Sequence, residues 1–124
     1  MRISGPVLDT DDAPALARFY ERLLGWPITE LEKGWARLRS PAGDTKIEIQ
    51  HEALYAQPVW PPVEGEQQIM IHLDVMVEDL DAGVAWAKEC GATVADAQPQ
   101  KPGYHVIMVD PAGHVFCMCR GTVQ

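Results

Sequence analysis

Basic residues are few in this sequence: 10 lysines and arginines stand against 18 aspartates and glutamates, which gives a formal net charge of −8. Nucleic acids and anionic membranes are bound through clustered lysine and arginine side chains. The charge balance therefore argues against nucleic-acid and membrane-surface partners. No apolar run approaches the roughly 20 residues that a membrane-spanning helix needs, and no secretory leader pattern follows Met1.

Cysteine is scarce too. The three cysteines, Cys90, Cys117 and Cys119, are odd in number and unlike the disulfide framework of a small secreted domain. A reducing cytoplasm is therefore the expected location. The sequence also lacks a Gly-x-Ser-x-Gly nucleophile motif and a glycine-rich phosphate loop, so nucleophilic catalysis has no support.

The stretch Ile69–Leu80 is the most informative part of the chain. From Ile69 to Val77, apolar residues alternate with mixed ones, a pattern that predicts a half-buried strand. The mixed face carries His72 and Asp74, two groups that can bind a ligand or move a proton. Glu78 and Asp79 then end the strand and cap a helix.

The second half of the sequence repeats the first. Helices are predicted over 12–24 and 79–90, each beginning at an aspartate and ending at a glycine, and the capping residues Asp12 and Asp79 are 67 positions apart. The other predicted strands are Ile3–Asp9, Trp26–Glu32, Trp35–Arg39, Thr45–Gln50, Ala92–Ala97, Tyr104–Val109 and Val115–Cys119. The expected fold is α+β: two βαβββ repeats (1–51 and 68–119) with curved mixed sheets that enclose a cleft, in one domain spanning 1–124.

A proline-rich segment, 52–67, joins the two repeats and is predicted to be a crossing loop. Trp60 lies between prolines in this loop. Because an indole ring is too apolar to be left in water, we expect Trp60 to pack on the protein, at the mouth of a binding pocket or simply as part of a linker.

Several motifs resemble the vicinal oxygen chelate (VOC) superfamily, in its glyoxalase-like (glyoxalase/bleomycin resistance/dioxygenase) branch. The resemblance covers essentially the whole chain, and the motifs that carry it are Phe19-Tyr20-x-x-Leu23-Leu24-Gly25-Trp26, His72-Leu73-Asp74, Val77-x-Asp79-Leu80-Asp81, Gly91-Ala92 and Asp110-Pro111-Ala112-Gly113-His114. It is specific for the fold but not for a reaction, because the superfamily contains isomerases, lyases, dioxygenases, thiol transferases and drug-binding proteins.

The resemblance also implies where a metal would lie. The superfamily's metalloenzymes hold one divalent ion with two side chains from each repeat, on the first and last strands. The corresponding positions here are His72, Glu48, Cys117 and, 67 residues before His72, Gly5, which has no side chain to offer. Cys117 lies four residues after Gly113 of its turn, and counting four residues after Gly43 places the corresponding ligand position at Ile47 instead of Glu48. Glu48 is preferred because Ile47 and Ile49 then face the helix.

The candidate ligand-binding residues are therefore His72, Glu48, Gln50, Asp74, Trp60 and Cys117. His72 is either a metal ligand or base, or a histidine hydrogen-bonded to a carboxylate such as Glu48. Asp74 and Glu48 are either an acid–base pair or simply paired with basic neighbours. Cys117 and Cys119 lie on one strand face and could hold zinc with His72, although a buried cysteine is commonly a small apolar residue.

Two functions stay open at this stage. One is a small-molecule binding protein of the resistance or sequestration type, with a degenerate metal site and no tightly bound metal. The other is a lyase, isomerase or dioxygenase that uses a divalent metal (zinc, nickel, manganese or iron). The missing ligand at Gly5 favours the first. By resemblance, and because open sheets leave exposed edges, a homodimer is expected.

Overall fold

A computed structural model describes residues 1–99 and 103–123 of the chain. The chain divides into two compact units, Met1–Tyr55 and Ala56–Gln124. Each contains one four-stranded mixed sheet and one helix. The predicted α+β class and the two βαβββ repeats are confirmed, and the assignment of both repeats to a single domain stays a prediction. No helix in the described residues is long and apolar enough to cross a membrane.

The elements of the first unit are β1 (Val7–Thr10), α1 (Ala13–Leu24), β2 (Ile28–Glu32), β3 (Trp35–Arg39) and β4 (Lys46–His51). The strands lie in the order β1-β4-β3-β2 in the sheet. Only the contact between β1 and β4 is parallel.

Helix α1 begins where the sequence predicts. The Asp12 carboxylate accepts a hydrogen bond from the Ala15 backbone N–H at 3.1 Å, and Gly25 ends the helix in the left-handed conformation, with φ of 68°. Its apolar face packs on β3 and β4. The buried side chains include Leu16, Tyr20 and Leu23 from the helix, and Ala36, Leu38, Ile47 and Ile49 from the strands. Each buried leucine or isoleucine contributes about 1.5–3 kcal/mol to folding.

The elements of the second unit are β5 (Leu73–Val77), α2 (Leu80–Cys90), β6 (Thr93–Val94), β7 (His105–Val109) and β8 (Val115–Arg120). It repeats the topology of the first unit, with strand order β5-β8-β7-β6 and one parallel contact, between β5 and β8. Asp79 caps α2 through the Ala82 N–H at 3.0 Å, and Gly91 ends it. Both predicted helix ends are therefore confirmed.

The first strand of each repeat, β1 and β5, begins later in the sequence than predicted. The alternating segment from Ile69 enters the sheet only at Leu73, and Met70 and Ile71 are 82% and 77% exposed. The predicted strand Ile3–Asp9 begins only at Val7. Gly5 there has φ of 147°, and a Cβ atom on it would overlap the backbone carbonyl of Lys46. Alternation alone could not reveal either limit, because both depend on which backbone pairs across the sheet.

The other strands also differ at their ends. Trp26–Glu32 is shortened to Ile28–Glu32 and Ala92–Ala97 to Thr93–Val94, whereas Trp35–Arg39 is confirmed without change. Ile47 and Ile49 are buried beneath α1, so Glu48 points to the opposite face of the sheet. The face assumed for Ile47 and Ile49 is thus confirmed, whereas the assignment of Glu48 to the family's ligand position stays a prediction.

Candidate functional site

The second unit brings three predicted site residues together. The ligand atoms of His72, Asp74 and Cys117 all lie within 4.8 Å of one another. Asp74 on β5 is the register partner of Cys117 on β8, and His72 precedes Asp74 by two residues. Residues two apart on an extended chain project to the same side, and cross-strand partners are immediate neighbours. The backbone pairing therefore assembles this cluster.

His72 and Asp74 lie at the exposed side of the cluster. The His72 Nε2 atom is 3.3 Å from Asp74 Oδ1, and the two side chains are 47% and 60% exposed. The sequence interpretation offered Glu48 as an example of a carboxylate beside His72, and in the structure Asp74 occupies that place. Both side chains can reach an incoming molecule without rearrangement of the core.

Cys117 lies at the buried side of the cluster, 8% exposed, among Ala95, Ile107 and Val115. Burial, and then the negative charge of Asp74, raise the pKa of the Cys117 thiol to about 11. The same causes, burial first, raise the pKa of Cys119, which lies on the same strand face. In the metal-free protein these thiols are therefore protonated at neutral pH and are weak nucleophiles.

Glu48 in the first unit has a different environment. It is 5% exposed, yet it lies on the sheet face opposite α1. Lys46 forms an ion pair with its Oε1 atom, and the Nε atom of Arg37 is 3.4 Å from the same oxygen. Arg37 also contacts Glu30 at 2.6 Å. Glu48 thus has the basic neighbours that the simpler sequence interpretation expected, and its role in ligand binding stays a prediction.

Arg37 and Lys46 are the site residues that the sequence analysis missed. Ala36 and Leu38 are buried under α1, so period-two alternation sends Arg37 to the face of Glu48, and Lys46 lies two residues before Glu48. Burial, followed by the positive charges of Arg37 and Arg39, lowers the pKa of Lys46. The strand pattern therefore predicts that both cations lie on the face of Glu48, but their contact with it depends on the cross-strand register, which pairs Arg37 with Glu48.

Gln50 belongs to the first unit and Trp60 to the second. Gln50 is exposed and is the register partner of Asp9 on β1. Trp60 belongs to the crossing loop, and its indole N–H donates a hydrogen bond to the Ala97 carbonyl at 3.0 Å. Gln57, in the same loop, packs so closely on Gly113 that a Cβ atom there would overlap it. Trp60 is therefore tied to its own unit by a hydrogen bond, although it stays 38% exposed.

The metal set implied by the resemblance does not fit these residues. The first-strand position of the first repeat is Gly5, which cannot carry a side chain without displacing the Lys46 carbonyl. Glu48 is already paired with two cations. The last-strand position of the second repeat is a thiol, Cys117, which is a poor ligand for a hard cation. Of the four positions, only His72 carries a side chain that is both exposed and of the expected type.

Comparison with known proteins was made at the level of sequence family and structure. The model of the glyoxalase-like domain family matches residues 6–119. Among curated proteins, no significant sequence match is found.

The solved structures that share the fold include the following three. A possible glyoxalase from Bacillus cereus is 19% identical, with a TM-score of 0.70, over 96% of this chain and 98% of its own. The fosfomycin resistance protein FosX from Mesorhizobium loti is 14% identical, with a TM-score of 0.69, over 98% and 93%. TnmS3, an antibiotic binding protein from Streptomyces sp. CB03234, is 19% identical, with a TM-score of 0.66, over 98% and 97%. At these identities the likeness establishes the fold alone.

Proposed function

Because this chain belongs to the glyoxalase-like domain family, we propose that it is a small-molecule binding protein of the resistance or sequestration type. The observation that carries the proposal is Gly5, where the backbone excludes the side chain that the family's metal set requires. A metal-dependent lyase, isomerase or dioxygenase would need that set, or a substitute for it. The names of FosX and TnmS3 support a role in antibiotic binding or resistance.

The proposed contact surface is the face of the second sheet opposite α2. It carries the imidazole of His72 and the carboxylate of Asp74 beside the buried, apolar surroundings of Cys117. A few polar groups next to an apolar surface are typical of small-molecule sites. The assignment of Glu48, Gln50 and Trp60 to ligand binding stays a prediction from the sequence.

The test is a binding screen on chelator-treated protein. Fosfomycin, bleomycin and a panel of other antibiotics would be added, with the midpoint of thermal unfolding as the first readout and calorimetry for each hit. A ligand at 100 times its Kd stabilises the folded state by about 2.7 kcal/mol. We expect at least one compound to bind and to be recovered unchanged.

His72→Ala is the decisive variant. Since His72 lies on the exposed side of the cluster, its removal should abolish ligand binding while the unfolding midpoint of the free protein stays unchanged. His51→Ala, at an exposed position in the first unit, is the matched control and should bind normally. Chemical conversion of the bound compound would contradict the proposal. So would one equivalent of nickel, manganese or iron that His72→Ala and Glu48→Ala both lose.

We also propose a homodimer in a reducing cytoplasm. Met70, Ile71 and Met76 are large apolar side chains with exposed fractions of 82%, 77% and 47%, and a second copy would cover them. Cys90, Cys117 and Cys119 form no disulfide with one another, which supports a reducing compartment. Sedimentation that shows a monomer at micromolar concentration would contradict the dimer.

A further inference from the structure

We propose that His72, Asp74 and Cys117 form a zinc site contained within the second unit. This site differs from the one that the family resemblance implies, because it takes no ligand from the first repeat and uses the carboxylate of Asp74 in place of Glu48. It does not depend on the proposed function, since it requires no organic ligand.

The chemistry of the three side chains suits zinc. Imidazole nitrogen, carboxylate oxygen and thiolate sulfur are the three ligand types that Zn²⁺ takes, with bonds of roughly 2.0–2.3 Å. Hard cations such as Mg²⁺ prefer oxygen ligands alone, so a thiolate discriminates against them. The ligand set therefore selects a zinc-like ion over magnesium or manganese.

The geometry needs only a small adjustment. Ligand atoms around a tetrahedral zinc ion are roughly 3.5 Å apart. His72 Nε2 and Asp74 Oδ1 are already 3.3 Å apart, and all three ligand atoms lie within 4.8 Å of one another. His72 and Asp74 are the exposed members, so rotation of their side chains can close the remaining distance without moving the core around Cys117.

The backbone holds the ligands in this arrangement. Asp74 and Cys117 are register partners on adjacent parallel strands, so their separation is fixed by the sheet. Cys119 lies two residues along β8, and its thiol is directed at the Cys117 carbonyl, 3.8 Å away. We therefore assign three protein ligands and leave the fourth zinc position for water or a bound molecule, as in zinc sites that accept exogenous ligands.

On binding, the thiol proton of Cys117 passes to solvent and the sulfur forms a bond to the ion, with no change in oxidation state. Cobalt is a useful probe, because Co²⁺ accepts the same ligands and a cobalt–thiolate bond produces a charge-transfer band in the near ultraviolet. That band reports Cys117 directly.

The experiment is a titration of chelator-treated, reduced full-length protein with Co²⁺ and then with Zn²⁺. We expect one equivalent of Co²⁺ to give the thiolate band and Zn²⁺ to displace it. Cys117→Ser should abolish the band, and His72→Ala and Asp74→Asn should weaken Zn²⁺ binding by at least about 10- to 100-fold, the loss that even outer-shell changes cause. Zn²⁺ should raise the unfolding midpoint of the wild type but not of Cys117→Ser.

Cys90→Ser is the matched control, since Cys90 is a half-buried cysteine outside any disulfide at the end of α2, and it should bind as the wild type does. Absence of the band in the folded wild type would overturn the proposal. Loss of binding in Glu48→Gln, or a loss in Cys119→Ser as large as that in Cys117→Ser, would overturn the assignment of these three ligands. Antibiotic binding to the wild type in the presence of chelator tests the proposed function separately, so the zinc site and the proposed function can fail independently.

Discussion

Glu48 and Cys117 occupy the same place in the two repeats. Val7 is the register partner of Glu48, and Asp74, 67 positions after Val7, is the register partner of Cys117. In the first repeat the acid is on the last strand and is nearly fully buried. In the second repeat the acid is on the first strand, largely exposed, and a thiol takes the buried place. The same strand pairing therefore carries a buried acid in the first repeat, and an exposed acid beside a buried thiol in the second.

The difference shows how burial separates a structural group from a functional one. A buried carboxylate is costly unless it is paired, and Arg37 and Lys46 supply that pairing for Glu48. An exposed carboxylate such as Asp74 keeps its freedom to take a ligand. The sequence analysis placed candidate ligand residues in both repeats, and we now assign that role to the residues of the second repeat.

The largest expected effect comes from filling the vacant ligand position of the first repeat. In Gly5→Ala the new Cβ atom would overlap the Lys46 carbonyl at a φ that favours glycine, and we expect a loss of about 3 kcal/mol or more in the free energy of unfolding. Gly43→Ala is the control, because Gly43 has φ of 76° but no atom within 4 Å of an added Cβ.

Gly43→Ala should cost only about 1–2 kcal/mol, the strain of the left-handed conformation alone. Urea denaturation of both variants measures the difference. Equal losses in the two variants would show that position 5 has room for a side chain, and the argument against the family's metal set would then fail.

The next effect concerns the paired acid of the first repeat. Glu48→Gln leaves Arg37 and Lys46 without their shared anion, and we expect a loss of about 1–3 kcal/mol in the free energy of unfolding. Glu30→Gln is matched in chemistry, but Glu30 is 51% exposed, so it should cost no more than about 1 kcal/mol. Asp74→Asn, the corresponding change in the second repeat, should also cost little. If Asp74→Asn costs as much as Glu48→Gln, Asp74 is structural after all.

The smallest effect concerns the thiol of the second repeat, measured in metal-free Cys90→Ala/Cys119→Ala protein. Burial and the charge of Asp74 raise the pKa of the Cys117 thiol, so the rate of alkylation by iodoacetamide should rise with pH and reach its midpoint above that of a free cysteine. The midpoint should lie below the pKa of about 11 in the wild type, because Cys119 contributes to that value and is absent from this variant. Removing the charge in Asp74→Asn should move the midpoint downward, though not to the value of a free cysteine, because burial is the larger cause.

Asp81→Asn, in the exposed first turn of α2, serves as the control for that experiment and should leave the midpoint unchanged. An unchanged or higher midpoint in Asp74→Asn would show that the carboxylate does not act on Cys117.

Local patterns predicted most of the fold. The aspartate and glycine ends of both helices, the strand Trp35–Arg39 and the repeat itself follow from residues near one another in the sequence. The starts of β1 and β5 did not follow from alternation, because a strand ends where its partner's backbone ends. In the candidate site, the sequence identified His72, Asp74 and Cys117 but grouped them with Glu48, and it overlooked Arg37 and Lys46.

The sequence by itself thus determined the two repeats, the face of each strand and the glycine that interrupts the first metal position, since each depends on local backbone preference and on period-two alternation. Only the tertiary structure decided which side chains share a neighbourhood. Cross-strand register placed Asp74 beside Cys117 and two cations around Glu48. Pairing and burial are properties of the folded sheet, and they convert similar acids into a structural group in one repeat and a candidate ligand in the other.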